Sequence, residues 1–177
     1  MSEYQNPPGG VCDCMIFLQA VANENGPAAA VLRLLDHDAI SLFVSEPILA
    51  EVRDVLSRDA VRARNRGITD ARMDKLFAFL AEKAIVIKNV PEEFHYERDP
   101  DDEPYLNLAL TARAQYLVTR DTDLLDLMDQ ATAAGQDFRF KYPFLRILNP
   151  LAFLREVAER KPPDQPKADN SGTQDNG

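Results

Sequence analysis

The chain is poor in the residues that staple or metallate small proteins: it has 2 cysteines and 2 histidines among 177 residues. The cysteines, Cys12 and Cys14, are one residue apart, a spacing that would strain a disulfide. Two thiols are also too few for a structural zinc site. They are read as small apolar fillers in a reduced compartment. His37 and His95 lie in polar segments and read as surface residues, which leaves no nitrogen-rich metal site. No apolar run approaches the roughly 20 residues of a membrane span. The opening MSEYQNPPGG has neither a basic start nor an apolar stretch and is not read as a signal peptide, so the chain is expected to be cytoplasmic. No internal repeat is apparent. Basic residues are outnumbered, 20 Lys and Arg against 29 Asp and Glu: the net charge of -9 and pI near 4.7 argue against a protein that coats nucleic acid through a broad basic face. No aromatic and basic stripe is read as a stacking platform for single strands.

What the chain has instead is apolar content, 45%, enough for one domain with a core of its own. Residues 1–10 read as an N-terminal extension, 11–160 as the domain, and 161–177, rich in Pro, Asp, Asn and Gln, as a disordered tail. Short apolar strands are expected at Val11–Leu18, Ile40–Val44, Ala84–Ile87, Tyr116–Val118 and Leu145–Leu148. Between them fall helical patterns, one starting at Pro27, others after the caps Ser45, Thr69 and Asn149, and two more near Asp99–Pro104 and Leu124. Residues 129–144 are poorly patterned and read as a long loop. This alternation specifies an α/β three-layer sandwich around a mainly parallel sheet. Such a sheet places its ligand crevice beyond the carboxyl ends of the strands, where the strand order reverses.

Four acids stand where that crevice should be. Asp13 interrupts an apolar strand, and an unpaired carboxylate there costs several kcal/mol. Glu51 flanks the apolar stripe of the helix after Ser45; alone it would be a solvated surface residue. Asp102 belongs to the run Asp99, Asp101, Asp102 and Glu103 at a helix start. The helix dipole accounts for one or two of these, but four within five residues repel one another. Asp121 and Asp123 follow a strand in Thr-Arg-Asp-Thr-Asp, where turn formation would explain either. Taken together, Asp13, Glu51, Asp102 and Asp121 would form an all-oxygen cage for a hard divalent cation, Mg²⁺ or Mn²⁺, and point to phosphodiester cleavage.

Five segments in this order resemble the PIN-domain ribonucleases, in particular the toxin components of bacterial toxin–antitoxin pairs. They are Val11-Cys12-Asp13-Cys14-Met15-Ile16-Phe17, Phe43–Val52, Arg98–Ala109, Ala114–Leu125 and Ile147–Leu154. The resemblance implies a parallel five-stranded sheet and a Mg²⁺- or Mn²⁺-dependent endonuclease for single-stranded RNA, often a homodimer and often silenced by a small antitoxin. Carried over position by position, Asp13 and Asp121 would ligate metal, with Asp102 a ligand or a water-mediated partner. Glu51 would orient the attacking water or hold a second ion, Thr119 would hydrogen-bond a ligand carboxylate, and Asp123 would ligate or cap. The family commonly carries Asn two residues after the first Asp; here Met15 offers only a weak thioether acceptor. The alternative is therefore a catalytically weak or inactive PIN fold serving as an RNA-binding or protein-interaction module.

Arg120, Arg58 and Arg62 are candidates for phosphate contacts that position without reading sequence. A dehalogenase-type phosphotransferase would need an Asp where Met15 stands. A receiver domain would need a late lysine at a strand end, which 145–148 does not supply.

Overall fold

Asp13 does not lie inside a long strand; it ends a short one. The computed structural model, which describes residues 6–160, gives β1 as Gly9–Cys12 and follows it at once with α1, Cys14–Ala22. The expected strand Val11–Leu18 is thus corrected to half strand and half helix. A continuous apolar run fits a buried helix as well as a buried strand, and here Asp13 decides. Its carboxylate accepts a hydrogen bond from the Ile16 N–H at 3.0 Å and so caps α1. Glycines 9 and 10, expected to belong to the N-terminal extension, instead begin β1. A Cβ on Gly9 would fall on the ring of Phe43 in the neighbouring strand.

The remaining strands are β2 (Ser41–Val44), β3 (Ile85–Val86), β4 (Tyr116–Val118) and β5 (Arg146–Leu148). They form one sheet in the order β3-β2-β1-β4-β5, and every neighbouring pair is parallel. The five-stranded parallel sheet matches the expectation. The chain lays down β1, β2 and β3 in one direction, then returns to the other flank of β1 for β4 and β5, so the order reverses at β1 and β4. The register pairs Cys12 with Val118. That pairing sets the next residues, Asp13 and Thr119, side by side at the carboxyl edge, where the Asp13 N–H still donates to the Val118 carbonyl at 3.1 Å.

Helices surround the sheet: α2 (Pro27–Asp36), α3 (Glu46–Ser57), α4 (Asp59–Arg64), α5 (Asp70–Lys83), α6 (Glu103–Thr111), α7 (Thr122–Leu125), α8 (Ala133–Lys141) and α9 (Pro150–Glu159). Ser45, Thr69 and Asn149 cap α3, α5 and α9 as their sequence positions predict. Val11, Leu42, Leu117 and Ile147 on the strands and Phe17 and Phe153 on the helices are fully buried and form the core. The expected loop 129–144 is also corrected, because α8 occupies 133–141. Thr132 caps it by accepting from the Gly135 N–H at 3.0 Å, and Phe138 anchors it in the core. With one buried apolar residue per two turns, this helix has too narrow a stripe to be seen in the sequence. The expected tail 161–177 and the first five residues lie outside the described residues. No described helix is long and apolar enough to cross a membrane.

Candidate metal centre

The site grows from the two strand ends. Asp13, 5% exposed, uses one carboxylate oxygen to cap α1 and the other to accept from the hydroxyl of buried Thr119. That hydroxyl in turn accepts from the Asp121 N–H at 2.9 Å, which fixes the turn after β4. Asp121 caps α7 by accepting from the Asp123 N–H at 2.8 Å. Thr119 therefore ties the Asp13 carboxylate to the backbone of Asp121 through one oxygen.

A third strand of chain arrives from α6. Asn107, buried in that helix, accepts from the Glu93 and Phe94 N–H groups and donates to the Phe94 carbonyl. Glu103 accepts from the Tyr96 N–H at 2.7 Å. These bonds hold the extended segment before Asp99 against α6. A single 3-10 turn, Pro100–Asp102, capped by Asp99, then delivers Asp102 to the crevice. Asp102 opens α6 yet makes no capping hydrogen bond. One carboxylate oxygen from each of Asp99, Asp102 and Asp121 lies within 4.8 Å of the other two.

Asp102 is 8% exposed, and its Oδ2 is the one buried side-chain oxygen or nitrogen among the described residues with no hydrogen-bond partner. An orphaned buried carboxylate oxygen requires an explanation, because its desolvation is uncompensated. Burial first, then the charges of Asp121, Asp99, Asp13 and Asp123, pushes its pKa up to about 7. Burial likewise raises Asp13, against the lowering effect of the Thr119 and Ile16 hydrogen bonds, with Asp121 adding to the rise. Carboxylates that resist ionisation together and aim oxygens at one point fit a hard divalent cation, whose charge reverses their mutual repulsion.

Glu51 stands apart from this tight group. It is exposed on α3, and the buried Tyr105 hydroxyl of α6 donates to its Oε2 at 2.6 Å. The same contact, after burial, pushes the Tyr105 phenol far up. The Cys14 thiol lies within reach of both Glu51 and Asp13; burial and then these two charges push it up to about 12. The two cysteines are free and buried, as expected. Glu51 is thus tied to Tyr105 and shares with Asp13 the electrostatic effect on Cys14.

Asp102 and Asp121 meet, Asp13 adjoins them through Thr119, and Glu51 borders them. Asp123 is held differently: Arg98 pairs with it at 2.5 Å and with Asp126 at 2.9 Å. Arg58 is paired with Asp54 at 2.6 Å, and Arg62 with Asp70 at 2.7 Å, while Arg120 is exposed. Met15 is 47% exposed on the first turn of α1 and His95 lies near Glu103 at 3.7 Å. Sequence reasoning missed two participants. Asp99 was visible only as one acid of a run, though the Asp-Pro-Asp-Asp pattern of a capped turn marks it. Tyr105 carries no signal in a helix whose apolar face it shares.

The family model for the PIN domain matches residues 11–123. An uncharacterized protein of Methanocaldococcus jannaschii, MJ1680, is 27% identical over 146 residues, which is 82% of this chain and 89% of that protein. The crystal structure of PAE2754 from Pyrobaculum aerophilum superposes with a TM-score of 0.46 at 17% identity, covering 88% of this chain and 94% of that one.

Proposed function

Because the chain belongs to the PIN domain family, a nuclease-type fold, we propose that it is a divalent-metal-dependent endoribonuclease that cleaves single-stranded RNA. The observation that carries this reading is the orphaned Oδ2 of Asp102, beside Asp99 and Asp121 in a site of oxygen donors only. Asp99, Asp102 and Asp121 would hold Mg²⁺ or Mn²⁺, with Asp13 completing the negative field from β1. A bound cation supplies Lewis-acid activation of water and neutralises charge at the phosphate.

The chain's own groups do the rest. Thr119 locks Asp13 and the Asp121 turn in one geometry, so the acids need little reorganisation when substrate arrives. Glu51, held by Tyr105 but open to solvent, would orient the attacking water and accept its proton. Exposed Arg120, between Thr119 and Asp121, would supply a phosphate contact. We assign the protein the role of the toxin of a toxin–antitoxin pair, acting as a homodimer in the cytoplasm and silenced by a small antitoxin.

Incubating purified protein with a mixed single-stranded RNA pool and Mn²⁺ tests the reaction, with Asp121→Asn as control. Cleavage is expected for the wild type and loss of it for the variant; equal cleavage by both would mean a contaminating nuclease. Mn²⁺ should also raise the melting temperature by mass action on the folded state, and Asp13→Asn should diminish the rise. The toxin role requires that growth arrest on expression be relieved by the product of a neighbouring short reading frame. A second reading, a non-cleaving RNA- or protein-binding module, rests on Met15, a thioether where the family commonly carries an amide. RNA binding without turnover, with cleavage gained in Met15→Asn, would favour it.

A further inference from the structure

The segment expected to be a poorly patterned loop holds, against the reading that no such stripe is present, an aromatic and basic run: Phe138, Arg139, Phe140, Lys141, Tyr142 and, beyond Pro143, Phe144. As α8 forms, its two faces separate. Phe138 turns inward, edge-on to Phe94 at 5.6 Å and tilted against Tyr142 at 5.1 Å. Phe140 turns outward and is 87% exposed, the most exposed large apolar side chain among the described residues.

A lone exposed phenylalanine needs no explanation. This one stands at the rim of a cavity of about 590 Å³ between α8 and the edge strand β5, bordered by Arg139, Tyr142, Arg146, Met128 and Leu148. Two guanidinium groups and no carboxylate line it, in a chain of net charge -9. Arg139 faces the side-chain amide of Gln130. Arg146 pairs with Glu156 of α9 at 2.8 Å and stays 55% exposed. Lys141 lies 5.3 Å from the centre of the Tyr142 ring.

One residue lining this groove, Leu148, is hydrogen-bonded to the strand end that bears the acidic centre. The Leu148 carbonyl accepts at 3.0 Å from the N–H of Thr119, the residue whose hydroxyl holds Asp13. Met128 closes the 3-10 turn that continues α7 from Asp121. We propose that this groove seats the single-stranded RNA that runs into the acidic centre, with a base stacked on Phe140 and phosphates met by Arg139 and Arg146. The inference rests on the nuclease reading and extends it to the path of the substrate. An acidic second copy of the chain would also suit the two guanidinium groups; the exposed ring of Phe140 beside them favours RNA. A polyanion with flat bases matches both the cations and the ring.

The test is fluorescence anisotropy of a labelled mixed-sequence single-stranded RNA, in EDTA to stop hydrolysis, followed by cleavage kinetics in Mn²⁺. Phe140→Ala is expected to weaken binding about tenfold and Phe140→Trp to restore it, since stacking tolerates either ring. Arg139→Gln should weaken binding and lower the slope of log affinity against log salt by about 0.7, the loss of one phosphate contact on a single strand. Lys75→Gln, on α5, removes an equal charge away from the groove and should leave both quantities unchanged. Melting temperatures verify that the exposed substitution at Phe140 leaves the fold intact. Unchanged affinity and salt slope in Phe140→Ala and Arg139→Gln, with cleavage intact in the wild type, would overturn the groove and leave the nuclease reading standing. A dimer that dissociates in Phe140→Ala while RNA affinity holds would assign the groove to a second copy and also overturn the proposal. A wild type that neither binds nor cleaves RNA removes the nuclease reading, and the groove proposal with it.

Discussion

Tyr105 and Glu51, 54 residues apart in sequence and on different helices, are joined by a 2.6 Å hydrogen bond from the phenol to the carboxylate. The donor is buried and the acceptor exposed, so the bond restrains a side chain that would otherwise rotate freely in water. Removing it in Tyr105→Phe leaves Glu51 solvated and the core filled, and the stability cost is expected to be only about 1 kcal/mol by chemical denaturation. Cleavage in Mn²⁺ should slow by about tenfold in kcat with KM little changed, the pattern of a lost positioning contact. A variant that cuts at the wild-type rate would show that Glu51 needs no restraint.

Asp102 gives the metal-free protein a pH signature. Its carboxyl has a folded pKa raised to about 7, by burial first, whereas an unfolded Asp titrates near the ordinary value of 3.8. Between those values the folded state binds more protons than the unfolded one, so this group's contribution to stability falls as pH rises from about 4 to 7, then levels. Asp102→Asn removes that slope, and its metal-free melting temperature should exceed the wild type's at pH 8 while converging with it near pH 4. Mn²⁺ must displace the same proton, so wild-type metal affinity should weaken as pH falls below 7.

Asp99 and Asp123 both neighbour the centre, but only one points at it. Asp99 contributes an oxygen to the tight group with Asp102 and Asp121, while Asp123 is committed to Arg98. Asp99→Asn should therefore shrink the Mn²⁺-induced rise in melting temperature, and Asp123→Asn should retain it. The reverse order would mean that the cation sits on the α7 side of Asp121 rather than over the 3-10 turn.

Much of this architecture was legible because local signals agreed with the global pattern. Ser45, Thr69 and Asn149 announce their helices, and the apolar runs before Ser45 and Thr119 announce strands. The exceptions have physical causes. The run Val11–Leu18 is buried whether helical or extended, so periodicity is silent, and the boundary is set by a carboxylate that also belongs to the site. The helix 133–141 buries too few residues to show a stripe. Asp13, Asp102 and Asp121 stood out because a carboxylate at a strand end or in an acidic run conflicts with its surroundings. Tyr105 did not, because a phenol in an apolar helix conflicts with nothing until Glu51 is seen opposite.

The Thr119 hydroxyl reaches Asp13 across 106 residues of chain. β4, which ends just before Thr119, lies between β1 and β5. The acidic centre therefore has no local precursor: a chain emerging from synthesis holds Asp13 long before it holds the partner that orients it. Closure of so long a loop is among the slow events of folding, and until it happens the carboxylates belong to separate pieces of chain. Maturation of the centre is thus tied to completion of the sheet, so that a truncated or half-folded copy carries the acids without the geometry that makes them a site.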